Sequence, residues 1–259
     1  MKKILFLLLL LLLLIIFYSR KTKEHFEILY KKKTLVTYVY FETKQSINNL
    51  NFFIKNGIYD KNDVVYNIII KGGKCSVIIP NYKNVNIFKT NNEGYDFAGY
   101  SNSINNININ KFKYFIFLND TIIGPFLPRY IKKNNWYNMF TNLLSNEIKL
   151  VGPTINKSNI YIDKNTNVPK HIQSMSFATD IIGLKLLIKN KILDEKNNIK
   201  VFKNEGKKAF IHKFEVNMSK IIMDNGYNIA SFNQSENNKI DLKHNDIHFE
   251  NKYFGITLN

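Results

Sequence analysis

Three acidic side chains stand where this chain could do chemistry. Tyr114–Leu118 (YFIFL) is an unbroken apolar run that stops abruptly at Asn119-Asp120-Thr121. A buried strand of that kind delivers its last residues to the carboxyl edge of an α/β sheet, where ligands bind. A carboxylate placed there, Asp120, can ligate a hard divalent cation that also holds a diphosphate. The plainer reading is that Asp120 caps a turn. Asp96 lies between Gly94 and Gly99, and glycine permits positive φ and the close approach of a ligand. Its plainer reading is a helix N-cap. Glu215 opens a predicted helix, where it suits a general base on a rigid element or simply a first-turn acid favoured by the macrodipole. His171 and Gln173 precede a predicted strand, and a single His without a second at ligand spacing is more often structural. Trp136 suits either the core or a stacking platform. Cys75 is the one cysteine and has no evident His partner, which argues against thiol catalysis. Neither a Gly-x-Ser-x-Gly elbow nor a Gly-rich phosphate loop occurs.

The elements that must carry these residues alternate. Strands are predicted over Thr34–Phe41, Val64–Ile70, Val77–Ile79, Val85–Phe88, Tyr114–Leu118, Lys149–Ile155, Gln173–Ala178 and Ile229–Phe232, from their β-branched and aromatic content. Helices are predicted over Ser46–Lys55, after a polar, Gly-bearing loop at Asn91–Tyr100 to about Ile107, and over Trp136–Leu144, Ile181–Lys191 and Phe214–Asn225, with Asp180 as a cap. Residues 194–208 read as a Lys/Asn-rich loop. Strands alternating with helices predict an α/β domain with a mainly parallel sheet covered by helices on its faces.

The composition bounds the partners. With 37 Lys and Arg against 20 Asp and Glu, the formal charge is +17, which raises the prospect of a polyanionic ligand. Only two of those cations are Arg, at positions 20 and 129. Arg is the residue of bidentate phosphate and guanine recognition, so specific nucleic-acid binding is not expected.

Ile4–Tyr18 is an apolar, Leu-dominated run preceded by Lys2 and Lys3 and followed by Arg20, Lys21 and Lys23. As a helix it spans about 22 Å at about 1.5 Å per residue, shorter than the roughly 30 Å hydrocarbon core. A cleaved leader and an uncleaved signal-anchor both fit that length. The small residues that cleavage wants are missing, because Phe17-Tyr18-Ser19-Arg20 follows. The expectation is therefore a single-pass membrane helix over residues 1–20, a basic stem over 21–33, a domain over 34–232, and a polar tail over 233–259 packed on or near it.

Taken in order, three segments resemble the GT-A type of glycosyltransferase, and in particular the rhamnan-synthesis group of sugar transferases. Asn91–Ser103 (NNEGYDFAGYSNS) is similar to the loop and helix preceding that family's metal-binding strand. Tyr114–Thr121 (YFIFLNDT) resembles the strand ending in its Asp-x-Asp motif. Phe214–Ile229 (FEVNMSKIIMDNGYNI) resembles the helix that begins with its Glu-Asp catalytic motif. The resemblance implies a Rossmann-like, nucleotide-sugar-binding sheet. It implies a nucleoside-diphosphate-sugar donor, a glycan or glycoprotein acceptor, and an inverting displacement. Glu215 would be the base and Asp120 the metal ligand, while Gly94, Asp96, Trp136, His171 and Gln173 would contact substrate. Each acidic motif keeps one acid here, Asp120 and Glu215. The diphosphate is thus met by Mn²⁺ or Mg²⁺, or by lysines in place of a metal. A non-catalytic nucleotide-sugar or glycan-binding protein on a degenerate transferase fold is the alternative.

Overall fold

A computed structural model describes residues 33–127, 132–156, 170–231 and 252–255, together with helical positions 14 and 17. The expected membrane helix over 4–18 and the stem over 21–33 lie outside the described residues, apart from positions 14, 17 and 33. Among the described residues no helix is long and apolar enough to cross a membrane.

The chain from Lys33 onward forms one compact unit. Its order begins with β1 (Lys33–Phe41), α1 (Lys44–Gly57), β2 (Val64–Lys71), β3 (Val85–Thr90), α2 (Tyr95–Asn105), β4 (Phe112–Asn119) and β5 (Ile122–Phe126). It continues with α3 (Asn138–Thr141), β6 (Ile148–Gly152), β7 (Ile155–Asn156), β8 (His171–Ile172), β9 (Ser176–Asp180), α4 (Ile181–Lys189) and α5 (Glu195–Asn204). Next come α6 (Gly206–Phe210), a π-helical stretch (Ile211–Val216), α7 (Asn217–Asp224), β10 (Asn228–Ser231) and β11 (Lys252–Gly255).

Seven strands form one sheet in the order β10-β6-β9-β4-β1-β2-β3. All neighbours run parallel except β9, which is antiparallel to both β4 and β6. This is the covered, mainly parallel α/β sheet that the alternation of elements predicts. The apolar strands explain why both faces are packed. Along β1, Leu35 and Val39 enter one cluster with Ile69, Phe115 and Phe117, while Val36, Tyr38 and Tyr40 enter the other with Ile68, Ile70 and Ile116. Successive side chains point to opposite faces, so a continuous apolar run is what a doubly covered strand requires.

Local sequence sets the helices that border the site. Thr43 caps α1 in a reciprocal box with Ser46, satisfying donors that the first helical turn leaves open. A buried polar chain fixes α2 on the sheet. Thr37 Oγ1 and Ser103 Oγ lie 2.7 Å apart, Asn67 Nδ2 donates to Ser103 Oγ at 2.9 Å, and Asn86 Nδ2 donates to Asn67 Oδ1 at 3.0 Å. Gly99 permits the close approach of α2 to β1, since a Cβ there would come within 2.7 Å of Val39 Cγ2.

Several expectations change. Val77–Ile79 makes no strand. Residues 195–204 and 206–210 are helical, because Val201 and Phe210 turn inward among the Lys and Asn residues. The helix carrying Glu215 therefore begins at Gly206, and Glu215 lies within its π-helical stretch instead of its first turn. The 233–259 tail contributes β11, which pairs in parallel with β5.

Candidate functional site

The carboxyl ends of β1 and β4 lie side by side, with Val39 opposite Asn119, and there the acids gather. Asp120 follows β4 directly. Its Oδ2 accepts the Phe41 amide at 2.5 Å, and its carbonyl accepts Asn49 Nδ2 at 2.8 Å. Burial pushes the Asp120 carboxyl up to about 7, the Phe41 amide opposes this, and the charge of Asp96 adds to it. A carboxyl perturbed by desolvation and a like charge at a sheet edge is a functional candidate on physical grounds.

Asn119 ties the second acid to the first. Its Nδ2 donates to Asp96 Oδ2 at 2.6 Å, while its Oδ1 accepts from Thr121 N at 3.0 Å and Thr121 Oγ1 at 2.7 Å. Both ends of the amide are thus occupied within the protein. Asn119 acts as a clamp between Asp96 and the turn at Thr121.

Glu215 is tied to the end of β4 through the Ser174–Met175 turn, whose Met175 carbonyl accepts the Asn119 backbone amide at 3.1 Å. Its Oε2 accepts from Ser174 N at 2.8 Å and from Ser174 Oγ at 2.5 Å. The carbonyl of Ser174 accepts the Tyr100 hydroxyl at 2.9 Å. That hydroxyl is held well above its ordinary pKa, first by burial and then by the charges of Asp96, Asp120 and Glu215. The charges of all three carboxylates act on this phenol, and the hydrogen bonds that connect them run through Asn119 and the Ser174–Met175 turn. Asp96, Asp120 and Glu215 are each partly exposed, as groups that meet a ligand must be.

Four residues of this region escape the sequence reading. Lys71, only 3% exposed at the end of β2, donates from Nζ to the carbonyls of Glu93 at 2.5 Å and Tyr95 at 3.0 Å. Burial lowers its pKa, while Asp96, Glu195 and Glu93 pull the other way. It secures the loop leading into Asp96. Phe41 leaves its ring 43% exposed at the end of β1, beside Gly72, whose added Cβ would lie 3.3 Å from that ring. Tyr100 and Ser174 complete the set. A Lys at a strand end and a Phe closing an apolar run give no signal by themselves, because both are ordinary at those places.

Three expected contacts are corrected. Trp136 is wholly buried, packs edge-on against Phe53, and donates from Nε1 to the Gly57 carbonyl at 2.8 Å. Its ring has no open face. His171 is wholly buried in β8, opposite Asn156 of β7. Gly94 is buried and left-handed at φ 72°, where a Cβ would meet Ala98 Cβ at 2.6 Å. Backbone conformation and packing require the glycine there, and it opens no approach for a ligand. Gln173, partly exposed next to Ser174, stays at the rim.

Among the described residues no cluster of three or more His, Cys, Asp or Glu side chains is placed to hold a metal. The carboxylates on hand are Asp120 and the Asn119-held Asp96. Two hard carboxylates suit Mg²⁺ or Mn²⁺ when a diphosphate supplies further oxygens.

No curated protein matches the chain. Among solved structures, a mannosyltransferase from Pyrobaculum calidifontis in complex with GDP-mannose and Mn²⁺ is similar at 7% identity and a TM-score of 0.45. The match covers 77% of this chain and 54% of that one, so the chain spans about half of that protein's length. The family model described as rhamnan synthesis protein F matches residues 79–255, which include α2, the end of β4, Ser174 and Glu215. The chain therefore belongs to the rhamnan synthesis protein F family.

Proposed function

We propose that this chain transfers a sugar from a nucleoside-diphosphate sugar to a hydroxyl of a glycan or glycoprotein. The observation that carries the reading is the hydrogen-bonded connection at the end of β4: Asn119, which precedes Asp120, holds Asp96 through its side chain and the Ser174–Met175 turn through its backbone, and Ser174 in turn holds Glu215. Family membership supports it. The diphosphate lies by Asp96 and Asp120, and the base of the nucleotide stacks on the exposed Phe41 ring. Asp96 and Asp120 would hold a divalent cation, which when bound supplies counter-charge to the diphosphate.

Glu215 faces the acceptor. Its carboxylate takes the proton of the acceptor hydroxyl as that oxygen attacks the anomeric carbon. The bond to the diphosphate breaks from the opposite side, so the reaction inverts the centre. Gln173 lines the acceptor side. Attachment through residues 4–18 as a single-pass membrane helix belongs to the same proposal and rests on the apolar run there.

The test is thermal stabilisation by dTDP-rhamnose, GDP-mannose and UDP-glucose, each with and without Mn²⁺, because a ligand of the native state raises the melting point. One donor should raise it and release nucleoside diphosphate when acceptor is added. Stabilisation without release would favour the non-catalytic binding protein. No stabilisation by any nucleotide sugar would overturn the donor assignment.

A further inference from the structure

The turn between β8 and β9 is held from three directions, and all three lead to the site. The Tyr100 hydroxyl on α2 donates to the Ser174 carbonyl at 2.9 Å. The Asn119 amide, at the end of β4, donates to the Met175 carbonyl at 3.1 Å. On the far side, Ser174 gives both its amide and its hydroxyl to a single oxygen of Glu215, at 2.8 and 2.5 Å. The Ser174 peptide thus accepts from the half of the site that carries Asp96 and donates to the half that carries Glu215.

These contacts have unequal structural importance. Tyr100 is wholly buried, and its ring packs against Phe97, Phe117 and Phe177. The ring alone fills that space, so the hydroxyl is not needed for the packing. That hydroxyl nevertheless makes a hydrogen bond to the carbonyl of Ser174, the residue that holds Glu215. The Ser174 hydroxyl sits in a turn at the partly exposed rim, and its recorded partner is the Glu215 carboxylate. Both hydroxyls are directed at the site.

We infer that Tyr100 and Ser174 are positioning residues that fix the Glu215 carboxylate relative to the bound diphosphate; this rests on the function proposed above. With Oε2 occupied by two donors from Ser174, the orientation of the carboxylate is set and Oε1 is the oxygen presented to an acceptor hydroxyl. Catalytic effectiveness depends steeply on such placement, since small displacements of a general base cost large factors in rate. The relay acts on the chemical step and leaves donor binding alone, because neither hydroxyl is among the groups assigned to the nucleotide.

The test uses the full chain and four proteins: wild type, Tyr100→Phe, Ser174→Ala and Ser174→Thr. Nucleoside diphosphate release is measured with dTDP-rhamnose, GDP-mannose and UDP-glucose in the presence of methyl glycoside acceptors. For Tyr100→Phe, kcat should fall about 5- to 10-fold, the size expected from one hydrogen bond. For Ser174→Ala it should fall about 10- to 100-fold, because that hydroxyl donates to a charged group. Donor KM should stay at the wild-type value in both, the melting temperature should fall by no more than the few degrees that one lost hydrogen bond costs, and Ser174→Thr should restore most of kcat. A purely structural role would change KM along with kcat, and Ser174→Thr would not rescue kcat. Unchanged kcat in Tyr100→Phe and Ser174→Ala, with an active wild type, would overturn the relay alone. Absence of release by wild type would overturn the proposed function, and the relay with it.

Discussion

Asp120→Asn should make the metal-free protein more stable, and increasingly so as pH rises. In the folded chain burial holds the Asp120 carboxyl at about 7, against an ordinary 3.8. The folded state therefore binds that proton more tightly than the unfolded state. Between those two values folding takes up a proton, and the stability this carboxyl contributes is lost as pH climbs through the folded value. Taking about 1.4 kcal/mol per pKa unit, the penalty for ionised Asp120 reaches about 4 kcal/mol at high pH, and about 2.5 kcal/mol of it develops between pH 5 and pH 8. Asparagine has no proton to lose, and its Oδ1 still accepts the Phe41 amide. Urea unfolding in EDTA at pH 5 and pH 8 reads the effect directly. The stability gap between variant and wild type should widen by that amount in favour of the variant, while sugar transfer is lost. A gap of equal size at the two pH values, or an asparagine variant less stable at pH 8 than at pH 5 relative to wild type, would refute the reasoning.

Other outcomes follow from the packing. Trp136→Ala should cost about 3–5 kcal/mol in unfolding free energy, as a large buried side chain lost from a core does; a denaturant midpoint near wild type would contradict its place there. Gly183→Ala should destabilise by about 1–3 kcal/mol, because the new Cβ would fall 2.1 Å from Thr179 Oγ1 and 2.7 Å from the Lys149 carbonyl; a thermal melt reports it. Phe41→Ala should leave stability within about 0.5 kcal/mol yet weaken nucleoside-diphosphate binding by about 1 kcal/mol or more through lost stacking. Titration calorimetry with UDP, GDP and dTDP separates those two effects.

The sequence made the sheet legible because fully apolar strands such as Val64–Ile70 and Tyr114–Leu118 have few other places to go. It also singled out Asp96, Asp120 and Glu215 as candidates, since carboxylates at strand ends and beside glycines stand out against an apolar background. What stayed hidden depends on long-range contact. Trp136 and His171 are residue types equally at home in cores and in sites, and only burial separates them. The helices at 195–210 were obscured by Lys and Asn, whose polar faces concealed the inward turn of Val201 and Phe210. The antiparallel insertion of β9 between two parallel neighbours is a matter of topology that no local pattern encodes. Ser174 and Tyr100 gave no signal because a serine in a turn and a tyrosine in an aromatic-rich helix are both unremarked until their hydroxyls are seen to point at one carboxylate and one carbonyl.

The most direct trial of Glu215 as the base is a comparison of wild type and Glu215→Gln in donor binding and in transfer. Glutamine keeps the shape and can still accept from Ser174, but it cannot take the acceptor's proton. The account predicts an unchanged donor Kd and a transfer rate lower by about 100-fold or more, the scale of a lost general base. Transfer at the wild-type rate by Glu215→Gln would contradict it.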